Sequence, residues 1–83
     1  MTIRTIKSND VECNRVADHH QRFLIRSDKE RYRLNEVFHL QNYRQGRPVK
    51  HKVEKTAFLI TLIMGRELLP LEDGCQLIGF REL

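Results

Sequence analysis

The chain has 83 residues, of which 40% are hydrophobic and 31% charged, and its formal net charge is +4 at pH 7. This composition excludes a disordered chain, and the length suits a single domain over residues 1–83. The apolar runs are far shorter than the ~20 residues of a membrane-spanning helix, and the first ten residues lack the apolar core of a signal peptide. We therefore expect a cytoplasmic protein without membrane contact.

The first elements predicted in chain order are a strand and a helix. The segment "TIRTIK" favours a strand that begins at Thr2, and the run Ser8–Asp10 offers three N-capping residues. Apolar residues then recur at the i, i+3, i+4 spacing of one helical face. The sequence therefore predicts a short helix over about Asp10 to His19. Its predicted stripe comprises Cys13, Val16, Ala17 and His20.

Alternating or β-rich segments follow the helix. They are "RFLIRS", "EVFHLQNY", "VKHKVEKTAFLI" and "CQLIGFREL". Gly46 in "RQGRP" tolerates positive φ, so we expect residues 36–43 and 49–60 to pair as an antiparallel hairpin across this turn. The predicted order is β-α-β-β-β-β, an α+β fold that is mostly β and forms a small barrel-like sheet.

Three segments, in this order along the chain, resemble those of small ASCH-type domains in the PUA-like superfamily. They are "QRFLIRSDK", "YRLNE" and "GCQLIGFREL". One branch of these domains is a bacterial and phage family of unknown function. The resemblance implies a PUA-like pseudo-barrel with one principal N-terminal helix. It also implies RNA or modified nucleosides as ligands, since PUA-like folds commonly bind them.

The superfamily signature G-x-K-x-x-E-x-R is largely replaced in this chain. It falls on His19, Gln21, Leu24 and Arg26, so that only the arginine is retained. A similar enzyme branch, which hydrolyses an acetylated cytidine, needs a lysine and a threonine at the places of Gln21 and Leu24. Neither residue can act as a general base or a nucleophile, so we do not expect catalytic residues here. A hydrolase acting on a modified nucleoside stays an alternative.

The histidines and cysteines do not show the spacing of a metal site. The four histidines and two cysteines include no CxxC, HxxxH or HExxH pattern, and no phosphate-binding glycine loop is present. We therefore predict neither a metal nor a cofactor. Cys13 and Cys75 are expected to be free thiols, because nothing in the sequence indicates export to an oxidising compartment.

Positive charge concentrates at positions 20–34 and 44–55, whereas positions 66–83 are mainly acidic. This asymmetry favours a polyanionic partner. Arginines next to tyrosines suit RNA or another single-stranded nucleic acid, with RNA ahead of DNA, because bases stack on the rings and cations contact phosphates. The residues predicted to bind are Arg22, Arg26, Tyr32, Tyr43, Arg44, Lys50 and Lys52.

Two other interpretations of the basic segments stay open. The charges can simply be the solvated faces of edge strands, where they oppose aggregation. Alternatively, the chain is a small effector or inhibitor that binds an acidic protein. A phage-encoded effector is one form of this alternative. The function favoured by the sequence is a non-enzymatic nucleic-acid-binding module. If Arg26 belongs to its site, we expect this residue to be partly buried and to face a cleft beside the N-terminal helix.

Overall fold

The computed structural model describes residues 3–83, so Thr2 of the predicted first strand lies outside the described residues. The described part is an α+β fold, mostly strand with one α-helix near its start, which confirms the predicted fold class. The elements are β1 (Arg4–Asn9), α1 (Asp10–Ala17), β2 (Phe23–Ser27), β3 (Val37–Arg44), β4 (Arg47–Pro48), β5 (Phe58–Met64) and β6 (Cys75–Glu82). Two short 3-10 helices cover Asp28–Glu30 and Lys52–Lys55.

Helix α1 begins where the sequence predicts and ends two residues earlier. The Asn9 side chain accepts a hydrogen bond of 2.9 Å from the backbone N–H of Glu12, which caps the first turn. The helix ends at Ala17, and His19 then adopts a positive φ of 62°, which a continuing helix cannot contain. His20, which the predicted stripe includes, is therefore exposed beyond the helix.

The six strands form one sheet in the order β1-β3-β5-β6-β2, with β4 paired to β3 outside this path. Strand β1 runs parallel to β3, and the other pairs are antiparallel. The sheet encloses an apolar core, to which α1 contributes Cys13 and Val16. The sheet does not close: β1 and β2 stand at its two ends, and no strand pairing joins them in the described part of the chain.

Three phenylalanines form the centre of the core. Phe38, Phe58 and Phe80 come from β3, β5 and β6, and their ring centroids are 5.0 to 5.5 Å apart. Such aromatic pairs add about 0.5–1.5 kcal/mol each beyond the area that they bury. The triad therefore ties together the three central strands of the sheet.

The predicted long hairpin is wrong in its extent. Only Val37 and Phe38 of β3 pair with β5, and the 3-10 helix Lys52–Lys55 interrupts the segment predicted as one strand over 49–60. The Glu54 side chain accepts a hydrogen bond from the backbone N–H of Asn42, a donor that a hairpin partner would otherwise satisfy. The tight turn itself is confirmed: Gly46 has a φ of 78°, and Arg44 pairs with Arg47 across it.

Candidate nucleic-acid interface

A cleft lies between the free edges of β1 and β2, where the sheet stays open. It has a volume of about 370 Å³ and is named the seam cleft below. Both edge strands and the segment that follows β2 form its walls, so the cleft follows from the strand order of the sheet. Its lining residues are Arg4, Thr5, Ile6, Lys7, Arg26, Ser27, Glu30 and Tyr32.

Arg26 connects three elements at the seam cleft. Its Nη2 lies 2.5 Å from Oε1 of Glu12 on α1 and donates a hydrogen bond of 2.9 Å to the backbone carbonyl of Lys7 on β1. Its Nη1 lies 3.3 Å from the other oxygen of Glu12, so the pair is bidentate. The Arg26 side chain is 22% exposed and lines the cleft beside α1, which matches the geometry expected from the sequence.

The Glu12 carboxylate is held from a second side. Ser8 of β1 donates its hydroxyl hydrogen to Oε1 of Glu12, the oxygen that Arg26 also contacts. Glu12 has only 17% of its side chain exposed, and Ser8 is buried. The guanidinium of Arg26 is therefore fixed in position and neutralised in part before any ligand arrives.

Two tyrosine rings flank β1, and a cationic side chain of that strand lies over each ring. The guanidinium carbon of Arg4 lies 4.4 Å from the ring centre of Tyr32, and Nζ of Lys7 lies 5.2 Å from the ring centre of Tyr43. Both distances are those of cation–π contacts. Arg4 also forms ion pairs with Glu36 at 3.1 Å and with Glu30 at 3.9 Å.

The electrostatics of Tyr32 keep its hydroxyl neutral. Burial raises the pKa of this phenol above its usual value of 10.0, and the nearby Glu30 carboxylate adds to the rise. The ring therefore offers an apolar face and a hydroxyl donor at neutral pH, which is the chemistry of a base-stacking platform.

The structure brings together only part of the predicted set. Arg26 and Tyr32 line the seam cleft, and Tyr43 adjoins it through Lys7. Arg44 instead binds Asp10, with 2.8 Å between Nε and Oδ2. That contact and a hydrogen bond from Asn42 hold the pKa of the Asp10 carboxyl below its usual value of 3.8.

The remaining predicted residues lie away from the seam cleft. Arg22 contacts Glu82 at 4.0 Å and donates a hydrogen bond to the carbonyl of Val16. Lys52 lies 4.0 Å from Asp18 and lines a separate cavity of about 230 Å³. Lys50 is exposed and forms no ion pair with any described residue. Their predicted role in binding stays a prediction.

The sequence interpretation missed Arg4 and Lys7. Both lie on the first strand, outside the two basic segments at positions 20–34 and 44–55. The segment "TIRTIK" predicts a strand, but it does not show that this strand stands at an open edge of the sheet. Only the strand order places these two cations beside Arg26.

Other chemistry is sparse in the described residues. Cys13 is buried and Cys75 half-buried, both as free thiols, and residues 3–83 include no cluster of three or more potential metal ligands. Burial raises the pKa of the Cys13 thiol, which keeps it protonated. No helix within residues 3–83 is long and apolar enough to cross a membrane.

No protein-family model matches the chain, and no match to it was found among the curated proteins.

Proposed function

We propose that the chain is a non-enzymatic module that binds single-stranded nucleic acid at the seam cleft, with RNA ahead of DNA. The observation that carries the proposal is a pair of cation–π contacts made by β1 at the seam: Arg4 with Tyr32, and Lys7 with Tyr43. Proteins that bind single strands combine these two kinds of group, since bases stack on rings while cations contact phosphates.

The size and charge of the cleft support the same ligand class. Its volume of about 370 Å³ lies in the lower part of the 300–1,000 Å³ range of ligand pockets, which suits one nucleotide unit of a strand at a time. Arg26 lines the cleft with 22% of its side chain exposed. Glu12 together with the carbonyls of Ile25 and Lys7 holds its guanidinium at the wall that a phosphate would approach. Glu30, also at the cleft, offers a carboxylate acceptor that suits the 2′-hydroxyl of a ribose, which is the reason for RNA ahead of DNA.

We also propose that the chain is related to ASCH-type domains and that it is cytoplasmic. The position of Arg26 at a cleft beside α1 supports the first, because Arg26 is the one signature residue that the chain keeps. The free thiols of Cys13 and Cys75 are in keeping with a reducing compartment.

The test is a titration of RNA and single-stranded DNA oligonucleotides of the same sequence by fluorescence anisotropy at several salt concentrations. Each phosphate contact on a single strand contributes about −0.7 to the slope of log K against log salt, so contacts by Arg4, Lys7 and Arg26 predict a slope of about −2. Replacing Lys7 with Ala should make the slope shallower by about 0.7. Absence of binding at about 1 mM protein and low salt would favour a protein partner instead.

Matched variants separate the seam cleft from the central basic segment. Lys50→Ala and Lys52→Ala change cations that lie away from the cleft, so they should leave affinity and slope unchanged if the cleft binds the strand. If they lower the slope and Lys7→Ala does not, the central segment predicted from the sequence is the binding surface. Arg26→Lys keeps the charge but loses the bidentate fork, and it should weaken binding without altering the slope.

A further inference from the structure

The outer side of β2, β6 and β5 carries a continuous apolar surface, named here the outer face. The strand register sets its residues in two rows, one through Phe23, Gly79 and Leu62 and the next through Ile25, Leu77 and Met64. Phe23 and Ile25 are each 45% exposed, and Leu62 is 46% exposed. Contiguous exposed apolar residues of this kind mark interaction surfaces in folded proteins.

The middle of the outer face consists of large side chains on either side of a glycine. Gly79 has no side chain, and it lies between the large side chains of Phe23 and Leu62. Gly79 is buried, because the Leu62 side chain lies over it with its Cβ 3.1 Å from the place of a Cβ at residue 79. Leu77 lies two residues away on the same strand and therefore points to the same face.

The two ends of the outer face carry opposite charges. Arg81, on β6 beyond Gly79, is exposed at one end, and Glu72 shares a surface cavity with Ile25 and Cys75 at the other. Neither Arg81 nor Glu72 forms an ion pair with another residue of the described range 3–83. The face is thus apolar in the middle, basic at one end and acidic at the other.

We propose that the outer face is the contact between two copies of this chain in a symmetric dimer. A two-fold axis that crosses β6 between Leu77 and Gly79 places the row of Phe23 and Leu62 in each copy against the row of Ile25, Leu77 and Met64 in the other. The same rotation reverses the strand direction, so Arg81 of each copy approaches Cys75 and Glu72 of the other. One surface therefore supplies both apolar rows and both charges, as an isologous interface requires.

Charge complementarity is what favours a second copy over a different partner. An unrelated helix or sheet would need its own apolar ridge and the reverse polarity of charge, whereas a second copy has both by symmetry. Side chains alternate along β2, so Arg26 points away from the side that presents Phe23 and Ile25. The dimer is thus compatible with ligand binding at the seam cleft and does not depend on it.

The first experiment measures mass by light scattering after size exclusion and by sedimentation equilibrium, with protein from about 10 µM to 1 mM. We expect a mass approaching twice 9.9 kDa as concentration rises. Leu62→Asp should give a monomer throughout, while Val11→Asp, at a 70% exposed apolar residue of α1, should dimerise as the wild type does. A wild-type chain that stays monomeric at about 1 mM overturns the proposal and leaves the face to a different protein.

A charge exchange tests the orientation with substitutions at exposed positions. Arg81→Glu and Glu72→Arg should each raise the dimer dissociation constant about tenfold, because each creates two repulsive contacts per dimer. The double variant should restore it to within about threefold of the wild type. A dimer that survives Leu62→Asp, or single variants without effect and no recovery in the double variant, would contradict this arrangement.

Discussion

The guanidinium of Arg26 and the carboxylate of Glu12 form a bidentate pair, with 2.5 Å as its shorter distance, at the gap between β1 and β2. Because Arg26 also donates to the carbonyl of Lys7, a single side chain links β2 to α1 and to β1. The two edge strands, which lack a ladder between them, are thus joined by side-chain contacts.

We expect Glu12→Gln to destabilise the fold by about 1–2 kcal/mol, because it removes the charge of a partly buried partner of Arg26 and leaves Ser8 with a neutral acceptor. The measurement is the urea unfolding midpoint. Lys52→Ala is the matched control: it removes an ion pair whose Lys52 side chain is 74% exposed, and should change stability by less than about 0.5 kcal/mol. Equal effects of the two variants would show that the Arg26–Glu12 pair is no stronger than a surface pair.

Acid should weaken the fold in part through Asp10. The hydrogen bond from Arg44, followed by that from Asn42, lowers the pKa of Asp10 below 3.8 in the folded chain. A lowered folded-state pKa adds stability that is complete above the unfolded value, and this stability is lost as pH falls from there through the folded value. Unfolding midpoints of wild type and Asp10→Asn should therefore differ near pH 6 and converge below pH ~3. A constant difference across this range would exclude the linkage.

His51 should be the residue that keeps the 3-10 helix Lys52–Lys55 in place. Its Nδ1 accepts a hydrogen bond of 3.1 Å from the backbone N–H of Val53, and its Nε2 lies 2.7 Å from Oδ1 of Asn14 on α1. His51→Ala should cost about 1 kcal/mol and speed hydrogen exchange at the Val53 amide. His51→Asn restores a capping oxygen, so it should recover most of the protection. Unchanged exchange in His51→Ala would rule out this capping role.

Asn42 should not tolerate a negative charge. It is 1% exposed, and its amide group donates a hydrogen bond of 2.6 Å to Asp10, while its backbone N–H contacts Glu54. Asn42→Asp places a buried carboxylate against Asp10, so we expect a loss of about 3 kcal/mol at pH 7 that diminishes as pH is lowered. Asn42→Ala serves as control, since its cost should diminish only where Asp10 itself is protonated, below the usual value of 3.8, whereas that of Asn42→Asp should begin to fall at higher pH. Equal pH profiles for both variants would refute the charge explanation.

Local patterns in the sequence predicted most of the elements and little of their arrangement. The start of α1 follows from the Asn9 cap, and the alternation in "RFLIRS" matches β2. The 3-10 helix Lys52–Lys55 escaped prediction because an alternating pattern of Val49, His51 and Val53 also suits a strand. The 3-10 helix forms in place of a strand because the side chains of His51 and Glu54 accept hydrogen bonds from backbone N–H groups.

Two residues of the seam cleft were predicted from the sequence: Arg26 from its resemblance to a signature arginine, and Tyr32 as an aromatic ring near arginines. Arg4 and Lys7 were missed because their proximity to Arg26 depends on which strands stand at the ends of the sheet. A parallel pairing of β1 with β3 is a non-local relation that no short pattern expresses. It was therefore easier to predict which residues form an element than to predict which residues of different elements lie close together.

The strand order also determines when the fold can be completed. Leu24 of β2 pairs with Ile78 of β6, so an early segment of the chain has its ladder partner in the last strand of the sheet. Closing so long a loop lowers the conformational entropy of the chain before the strand contacts that compensate for this loss can form. Sheets with pairings between distant segments therefore fold slowly. During synthesis, the exposed Phe23 and Ile25 of β2 must wait until β6 has left the ribosome. Leu24, which is buried in the folded chain, therefore gains its ladder partner Ile78 only when the last strand of the sheet has been made.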